Sequence, residues 1–324
     1  MRFETRLRRQ CTACTESSIR TYVANIKALA KLAGLQEAPG NDASWLDVDL
    51  LQVVKNETLG RYKRFSIAGR KALQAYGSKT AGFSQDVSEQ WAQAVVESSV
   101  EYDKQRNEQK RTTREAANWP RDGYQAMQRL ARQLYEEEAQ YIYESTSPEH
   151  ITPGDLYKIQ KHFVILFYAW HALRGDLAEA RITPKGQNYI YKAAHGGKSS
   201  ARTPWSQRWH LHIGEHKTVR AHGAIDFALA GPVAEGLDRF LPYVRAATDH
   251  GYLLTTMRRG TRLRRHDMLK MIRNCTEERL GKRLGVQMIR VLRVTESAEE
   301  VDQAAELRAQ MGHSAATQFQ YVSK

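Results

Sequence analysis

With 324 residues the chain is too long for one ordinary hydrophobic core, and its 41% hydrophobic content is too high for a disordered protein, so we expect two folded domains. Lys and Arg number 49 against 36 Asp and Glu, and the net charge of +13 favours a polyanionic partner such as nucleic acid, with a membrane surface as the competing partner. Since no apolar run reaches the ~18 residues of a membrane span and the first residues lack the apolar segment of a signal peptide, we expect a soluble, intracellular protein.

The first motif along the chain is the pair Cys11-x-x-Cys14. Three cysteines in all, with Cys275 as the third, are too few for a disulfide framework, and the odd number suits a reducing compartment. The pair has the spacing of half a zinc site, but no second pair of Cys or His residues follows at zinc-finger spacing. We therefore expect no bound metal at these residues.

Helical periodicity extends through the first hundred residues. The apolar side chains of SSIRTYVANIKALAKLAGL recur on one helical face, with Ser17 or Ser18 as the N-cap and Gly34 as the stop. SIAGRKALQAYG and VSEQWAQAVVESSVEY predict two more amphipathic helices, and no strand pattern occurs among them. Residues 1–100 are therefore predicted to form a small helical domain.

A charged segment follows at residues 101–122, EYDKQRNEQKRTTREAANWPRD. Its six basic and five acidic side chains come with almost no aliphatic residues, a composition typical of a solvated connector. We place the domain boundary in this linker. A long exposed helix that continues from the preceding one is the alternative, and both arrangements separate two cores.

Residues 123–324 predict a second domain. The centre of one of its helices, from Phe163 to Trp170, is apolar on all sides, as in helices buried in the middle of a domain. The stretch from Trp205 to Leu229 alternates with a period near two, which indicates short antiparallel strands, and helical spacing returns after it. The sequence thus predicts a mainly α fold with one small antiparallel β-sheet, in the α+β class.

Two basic residues of this domain stand at chemically suggestive positions. Arg174 closes the apolar helix, where it needs either a salt bridge, with Asp176 or Glu179, or an anion in a solvent-filled pocket. Lys217, in GEHKTVRAHG, is predicted at a strand end or hairpin turn. Most such lysines are merely solvated, but a hairpin tip also carries a point charge and proton donor to a phosphate.

The segment from Arg258 to Arg293 is strongly basic. Twelve Lys or Arg residues against three acids give a local charge of +9, dense enough for a surface that binds the DNA backbone. Arg290 and Arg293 occur within an otherwise apolar helix start, so one of them is expected to face inward. The residues predicted to contact DNA are Arg258, Arg259, Arg262, Arg264, Arg265, Lys270 and Arg273.

Four histidines of the strand region are close enough in sequence to suggest a metal cluster: His210, His212, His216 and His222. At best three of them share a strand face, and no acidic residue stands at ligand spacing. We therefore expect solvated strand histidines near DNA, and no metal.

The last motif is MGHSAATQFQYVSK, in which Tyr321 follows His313 by eight residues. Most tyrosines near a C-terminus pack on the surface. A tyrosine also acts as a nucleophile where neighbouring groups stabilise the phosphorane-like transition state that it creates.

Taken in order, these residues resemble the catalytic series of the tyrosine recombinases, also called the phage integrase family. ALRGDLAEARI resembles the first-arginine box, HKTVRAHG the hairpin lysine, QMIRVLRVT the second-arginine box, and MGHSAATQFQY the final box with the nucleophile. Residues 17–98 resemble the helical core-binding domain of the family, which binds DNA, and residues 120–324 resemble its catalytic domain. The catalytic residues that the resemblance implies are Arg174, Lys217, Gln287, Arg290, His313 and Tyr321.

The chain departs from the family pattern in several places. Gln287 stands where the family has a histidine three residues before the second arginine, which replaces a proton-transfer partner by a neutral one. Asp176 comes two residues after the first arginine, and the interval from the histidine to the tyrosine is one residue shorter than the commonest form. Arg293 is a rival for the role of Arg290, although Thr295 supports Arg290. These departures suggest an outlying branch.

The resemblance implies a site-specific DNA recombinase or integrase. Tyr321 attacks a phosphodiester to form a 3′-phosphotyrosyl link, Arg174 and Arg290 clamp the phosphate oxygens, Lys217 protonates the leaving 5′-oxygen, and His313 donates a hydrogen bond. No cofactor or metal is implied, and the expected partners are double-stranded DNA and three further copies of the chain in a homotetramer.

Two rival functions remain open on the sequence. A type IB topoisomerase shares this chemistry but relaxes supercoils as a monomer. A catalytically impaired DNA-binding relative is the rival from another class, and Gln287 is the residue that motivates it.

Overall fold

The computed structural model describes residues 3–36, 40, 42–77, 82–192, 209–216, 218–258, 260–297, 307, 310 and 311. The chain divides into two compact units, Met1–Glu108 and Gln109–Lys324. None of the helices in the described residues combines the length and the hydrophobicity that a membrane span requires.

All the regular elements among the described residues of the first unit are helices. Its helices are α1 Phe3–Gln10, α2 Glu16–Leu32, α3 Val48–Lys55, α4 Leu59–Tyr76 and α5 Gln85–Asn107. The start of α2 differs from the prediction, because the hydroxyl of Thr15 accepts the backbone N–H of Ser18 and caps the helix ahead of the two serines. The predicted stop is present: Gly34 has a positive φ, and Leu35 N–H donates to the carbonyl of Ala30 as in a Schellman motif.

A close approach between α4 and α5 organises the core of this unit. Trp91 is fully buried, and its indole N–H donates to the carbonyl of Leu46 at 3.2 Å. A Cβ on Gly69 would lie 2.3 Å from the Trp91 ring, so only glycine leaves room for the ring at this point of α4. The tight contact makes Gly69 a packing residue and not a helix breaker.

The charged segment predicted as a linker is partly helical. Helix α5 continues through Asn107, and α6, Thr113–Asn118, begins with a capping box in which Thr112 and Glu115 bond each other's backbone N–H groups. The side chain of Arg111 lies over the Trp119 ring, 3.7 Å from its centroid.

The second unit surrounds helix α9, Pro153–Trp170. Its largest core residues include Phe163, Phe167 and Tyr168, all at most 1% exposed, as its all-round apolar centre predicts. A π-helical turn, Tyr135–Ala139, lies between α7 and α8. The other helices of the unit are α7 Gln125–Leu134, α8 Gln140–Ser145, α10 Val219–His222, α11 Gly231–Ala247, α12 Arg265–Leu280 and α13 Val286–Glu296.

A three-stranded antiparallel sheet completes the described part of this unit. Its strands are β1 Asn188–Lys192, β2 Trp209–Ile213 and β3 Ile225–Ala228, in the order β1-β2-β3. The alternation between Trp205 and Leu229 predicted β2 and β3 but not β1, although the alternating NYIYK of β1 carries the same signal. The prediction of a mainly α fold with a small antiparallel sheet is confirmed.

Candidate active site

The predicted site residues fall into two groups. Arg174, Gln287 and Arg290 are described, whereas Lys217, His313 and Tyr321 lie outside the described residues, as does Arg259 of the predicted DNA surface. The site is therefore built from the two arginine boxes and from the residues on either side of Lys217.

Arg174 stands between the end of α9 and a short 3-10 turn, Gly175–Glu179. The hydroxyl of Tyr168, in the buried core, donates to the carbonyl of Arg174 at 2.8 Å and holds its backbone. The guanidinium Nη1 donates to Thr218 Oγ1 at 2.9 Å, a contact between residues 44 apart in the sequence. This hydrogen bond joins the first-arginine box to the predicted lysine loop.

The salt bridge considered for Arg174 does not form. Asp176 pairs with Arg265 at 3.2 Å, and Glu179 pairs with Arg262 at 2.6 Å, so both nearby carboxylates have other partners. Within the described residues, no carboxylate pairs with the Arg174 guanidinium. Arg262 and Arg265 thus neutralise these two carboxylates, and neither carboxylate neutralises the charge of Arg174.

A histidine next to Lys217 fixes the hydroxyl that Arg174 contacts. His216 Nε2 lies 2.8 Å from the carbonyl of Gly223, and His216 Nδ1 lies 3.2 Å from Thr218 Oγ1. Because a carbonyl only accepts, Nε2 carries the proton in the neutral ring, Nδ1 accepts the Thr218 hydroxyl, and the hydroxyl oxygen accepts Arg174.

His216 also corrects the sequence prediction. It was expected to be a solvated strand histidine, but only 7% of it is exposed, and its Nε2 bonds the carbonyl of Gly223. The residues on both sides of Lys217 are thereby linked to Arg174 through one chain of hydrogen bonds.

Of the two candidate arginines in α13, Arg290 is the buried one. It is 3% exposed, and its Nη1 donates to Gln287 Oε1 at 3.3 Å, one helical turn earlier. Arg293 is half-buried, lies over the Tyr124 ring at 5.1 Å and pairs with Glu296 at 3.6 Å. The inward position therefore belongs to Arg290, and Gln287 contacts the residue that its sequence spacing predicts.

The phenol of Tyr168 lies within electrostatic reach of charged residues from both arginine boxes and from α12. Burial raises the pKa of the Tyr168 phenol, the Asp176 carboxylate raises it further, and the guanidinium groups of Arg265 and Arg290 act in the opposite direction. The phenol that holds the Arg174 backbone is thus within electrostatic reach of two further arginines. Two guanidinium groups and one carboxylate thus act on the phenol that holds the Arg174 backbone.

Arg265 is a site residue that the sequence pattern assigned only to the DNA surface. A Cβ on Gly175 would lie 2.7 Å from Arg265 Nε, so the guanidinium packs directly on the backbone that follows Arg174. The ion pair with Asp176, which is itself 7% exposed, holds it there. The glycine immediately after Arg174 was the available signal, because a close approach by another group is one reason for glycine at such a position.

The other predicted DNA-contacting residues differ in their surroundings. Arg258, Arg264 and Lys270 are exposed and, among the described residues, form no ion pair. Arg262 pairs with Glu179 and lies over the Tyr252 ring, and Arg273 is half-buried with its Nε enclosed. The exposed arginines and lysine are the ones available to a polyanion.

The strand histidines meet an acidic residue that the sequence spacing did not reveal. His210 Nδ1 and His212 Nδ1 lie 3.2 and 3.0 Å from the two carboxylate oxygens of Asp226, and Tyr191 donates its hydroxyl to the same carboxylate. Asp226 comes from β3, which pairs with β2. In the part of the chain that the structure describes, no group of His, Cys, Asp or Glu has the geometry of a metal site.

The comparisons with known proteins are sparse. No protein-family model and no curated protein matches the chain. Among solved structures, the crystal structure of XerA recombinase matches over 98% of this chain and 92% of that chain, with 11% sequence identity and a TM-score of 0.39. A likeness this distant carries no argument about the fold or the activity of this chain.

Proposed function

We propose that the chain is a tyrosine-type site-specific DNA recombinase, which breaks and rejoins duplex DNA through a 3′-phosphotyrosyl intermediate. The observation that supports it most is the 2.9 Å hydrogen bond from Arg174 to Thr218. It joins two boxes of the family series that are far apart in the sequence, and it does so beside Lys217. The burial of Arg290, and not Arg293, in α13 is consistent with the third box.

In this proposal the two arginines bind the scissile phosphate. A guanidinium presents five N–H donors in a planar fork, which suits the non-bridging oxygens of a phosphate better than a point charge does. The contact with Thr218 engages one donor of Arg174 and fixes the plane of the fork. Gln287 takes the place of the family histidine and orients Arg290 by accepting its N–H.

The remaining chemistry belongs to residues outside the described part. Tyr321 gives up its phenolic proton to water and attacks the phosphorus, and the bond to the 5′-oxygen breaks. Lys217 gives that oxygen a proton, while His313 donates a hydrogen bond to the phosphate. The phosphotyrosyl link conserves the energy of the phosphodiester, so a 5′-hydroxyl from another strand reseals it without ATP or a metal. Losing one donor to the transition state typically costs about 2.7 to 4 kcal/mol.

The proposal assigns residues 1–100 to DNA binding, residues 101–122 to a linker and residues 123–324 to catalysis. The partners are double-stranded DNA and, on synapsed sites, three further copies of the chain, inside the cell. Arg258, Arg264 and Lys270 lie on the surface that would contact the DNA backbone. Because each neutralised phosphate releases counterions, the affinity should fall steeply with salt.

The decisive experiment traps the covalent intermediate on a pool of DNA molecules with randomised sequence, because the target sequence is not assumed. A pool of nicked duplexes with randomised sequence around the nick releases a short strand after cleavage, so that rejoining is prevented and the adduct accumulates. We expect adducts that resist denaturing detergent from the unaltered chain. Tyr321→Phe, the matched control, should bind the same pool and give none.

Three outcomes would speak against the proposal. Adducts missing from the unaltered chain, on the random pool and on DNA that flanks its gene, would leave only a DNA-binding role. Adducts that persist in Tyr321→Phe would assign the nucleophile elsewhere. Relaxation of any supercoiled plasmid, irrespective of sequence, would indicate topoisomerase activity instead.

A further inference from the structure

The corner between α1 and α2 holds two thiols that the proposed recombination chemistry does not use. Helix α1 ends at Gln10, and the backbone N–H of Cys14 donates to the carbonyl of Cys11 at 3.0 Å, which closes a four-residue turn with a cysteine at each end. The α-carbons at the ends of such a turn lie within about 7 Å, and disulfides span about 4.4 to 6.8 Å between α-carbons. The turn alone brings the two cysteines close to bonding range.

The side chains of the pair pack against one core. Cys11 is 5% exposed and belongs to the core of the first unit, and Cys14 is half-buried and packs against that core. Both thiols thus lie against the same apolar core, at the two ends of one turn.

The two thiols differ in their access to reagents. Burial and the hydrogen bond with Cys14 raise the pKa of the Cys11 thiol, and the nearby Lys71 ammonium opposes this shift. A small reagent therefore meets Cys14 first, because Cys14 is the more exposed and Cys11 is enclosed by the core. Cys11 is placed to react only with its neighbour.

A metal site is the other chemistry that two cysteines at this spacing suggest. Structural zinc takes four ligands, and the described residues hold no third Cys, His, Asp or Glu that would complete a site with this pair. Within that part of the chain, the two thiols lie at the ends of one turn but lack the further ligands that zinc needs. Two adjacent thiols of this kind are the arrangement from which a disulfide forms.

We propose that Cys11 and Cys14 are a redox-modifiable dithiol that closes to an intramolecular disulfide by exchange with a low-molecular-weight disulfide. The Cys14 thiolate attacks one sulfur of the small disulfide, whose S–S bond breaks as a mixed disulfide forms and one small thiolate leaves. The Cys11 thiolate then attacks the Cys14 sulfur, and the second small thiolate leaves. Two protein thiols are oxidised, one small disulfide is reduced to two thiols, and the two protons pass to the leaving thiolates.

The test uses the full chain in glutathione buffers of increasing oxidised fraction. Samples are quenched with acid, alkylated with N-ethylmaleimide under unfolding conditions and cut with trypsin. Cleavage after Arg9 and Arg20 yields a peptide that contains both cysteines, and cleavage after Arg273 and Arg279 yields one that contains only Cys275. We expect the first peptide to lose both maleimide groups and two hydrogen atoms, while the second keeps its maleimide.

The same titration in urea measures what the fold contributes. We expect the equilibrium constant for disulfide formation to be at least roughly tenfold larger in the folded chain, because the hydrogen-bonded turn already holds the two cysteines close together. An equal or smaller constant in the folded chain would overturn the proposal, since the fold would then not favour the bond. Persistent glutathione adducts on the unaltered chain would overturn it as well.

Two variants separate the steps. In Cys11→Ala, Cys14 should stop at a stable mixed disulfide with glutathione, and in Cys14→Ala, Cys11 should resist the reagent as Cys275 does. Protection of both thiols from alkylation by one equivalent of Zn²⁺ in the reduced chain would identify a metal site and contradict the dithiol. The proposal does not depend on recombinase activity.

Discussion

In the first unit the described arginines and lysines lie at exposed or half-exposed positions, where Arg8 pairs with Glu16 and Arg61 with Glu57. The second unit instead buries ionisable groups of both signs. Among the described residues, the buried His, Asp and Arg side chains all belong to it: His162, His171, Asp176, His216 and Arg290.

The difference matters because the two placements have different energetic consequences. Exposed ion pairs contribute about 0 to 1 kcal/mol, whereas a buried polar or charged group destabilises the fold unless it has partners. The first unit therefore has a core of apolar side chains and a polar surface. The second unit carries groups whose burial costs stability, and four of the five lie at the candidate site or within the helix that leads to it.

The largest effect should follow from changing the buried arginine. Arg290→Lys keeps the charge but loses the fork, so the single-turnover rate of adduct formation should fall roughly a hundred- to thousandfold. Arg293→Lys, three residues further along α13, should stay within a few-fold of the unaltered rate. Equal losses in both variants, with unchanged thermal melting, would show that burial does not distinguish the site arginine.

Acid should weaken the second unit and spare the first. Burial lowers the pKa of His162 and of His171 to about 4, and the Arg239 guanidinium adds to the shift of His162. Both rings are neutral in the fold and titrate near pH 6.5 when unfolded, so their stabilising effect is present above that pH and is lost as the pH falls toward 4. The loss between pH 7 and pH 5 should be about 2 kcal/mol for each histidine.

The first 108 residues contain no histidine, which provides an internal control. Urea unfolding at pH 7 and pH 5, followed through amide NMR signals of each unit, should show the change in the second unit only. His162→Phe should remove about half of the pH dependence, because it removes one of these two histidines. The substitution breaks no hydrogen bond of Nδ1, which has no partner among the described residues. Exposed His150→Asn should leave it unchanged. A similar shift in both units would refute the assignment.

Core packing is the feature by which the first unit can be perturbed alone. Gly69→Ala places a Cβ against the fully buried Trp91 ring and should destabilise the first unit by about 1 to 3 kcal/mol. Gly60→Ala, in the same helix, meets nothing within 4 Å and should be neutral or slightly stabilising. Urea unfolding of the two variants measures the difference, and equal stabilities would contradict the packing seen around Trp91.

The smallest effect should come from the hydrogen-bond chain beside Lys217. Thr218→Val removes the hydroxyl between His216 and Arg174, and losing one such bond costs about 1 kcal/mol, or roughly a fivefold slower adduct formation. Thr218→Ser keeps the hydroxyl and should retain most of the rate. If valine and serine behave alike, the hydroxyl does not position Arg174.

Much of the fold was predictable because local spacing carries it. The apolar centre of α9, the helices of the first unit and the alternation of β2 and β3 are all periodic patterns that a sequence displays directly. Strand β1 was missed although it shows the same alternation, and the cap of α2 was misplaced because Thr15 competes with the serines that follow it.

The candidate site was predictable only in part. The spacing from Gln287 to Arg290 lies within one helical turn, so their contact follows from the helix itself. Which arginine of α13 is buried could not be read from that helix, because both lie in the same apolar run. The partner of Asp176 was misassigned, since Arg265 reaches it from 89 residues away.

By itself, the sequence determined the net positive charge, the mainly helical architecture and the order of the boxes that resemble those of a recombinase. The tertiary structure alone decided that Arg174 contacts Thr218, that Arg265 packs on Gly175 and that Asp226 meets the strand histidines. The reason is physical: periodicity reports which face of one element is apolar, whereas contacts between distant residues depend on how several elements pack together.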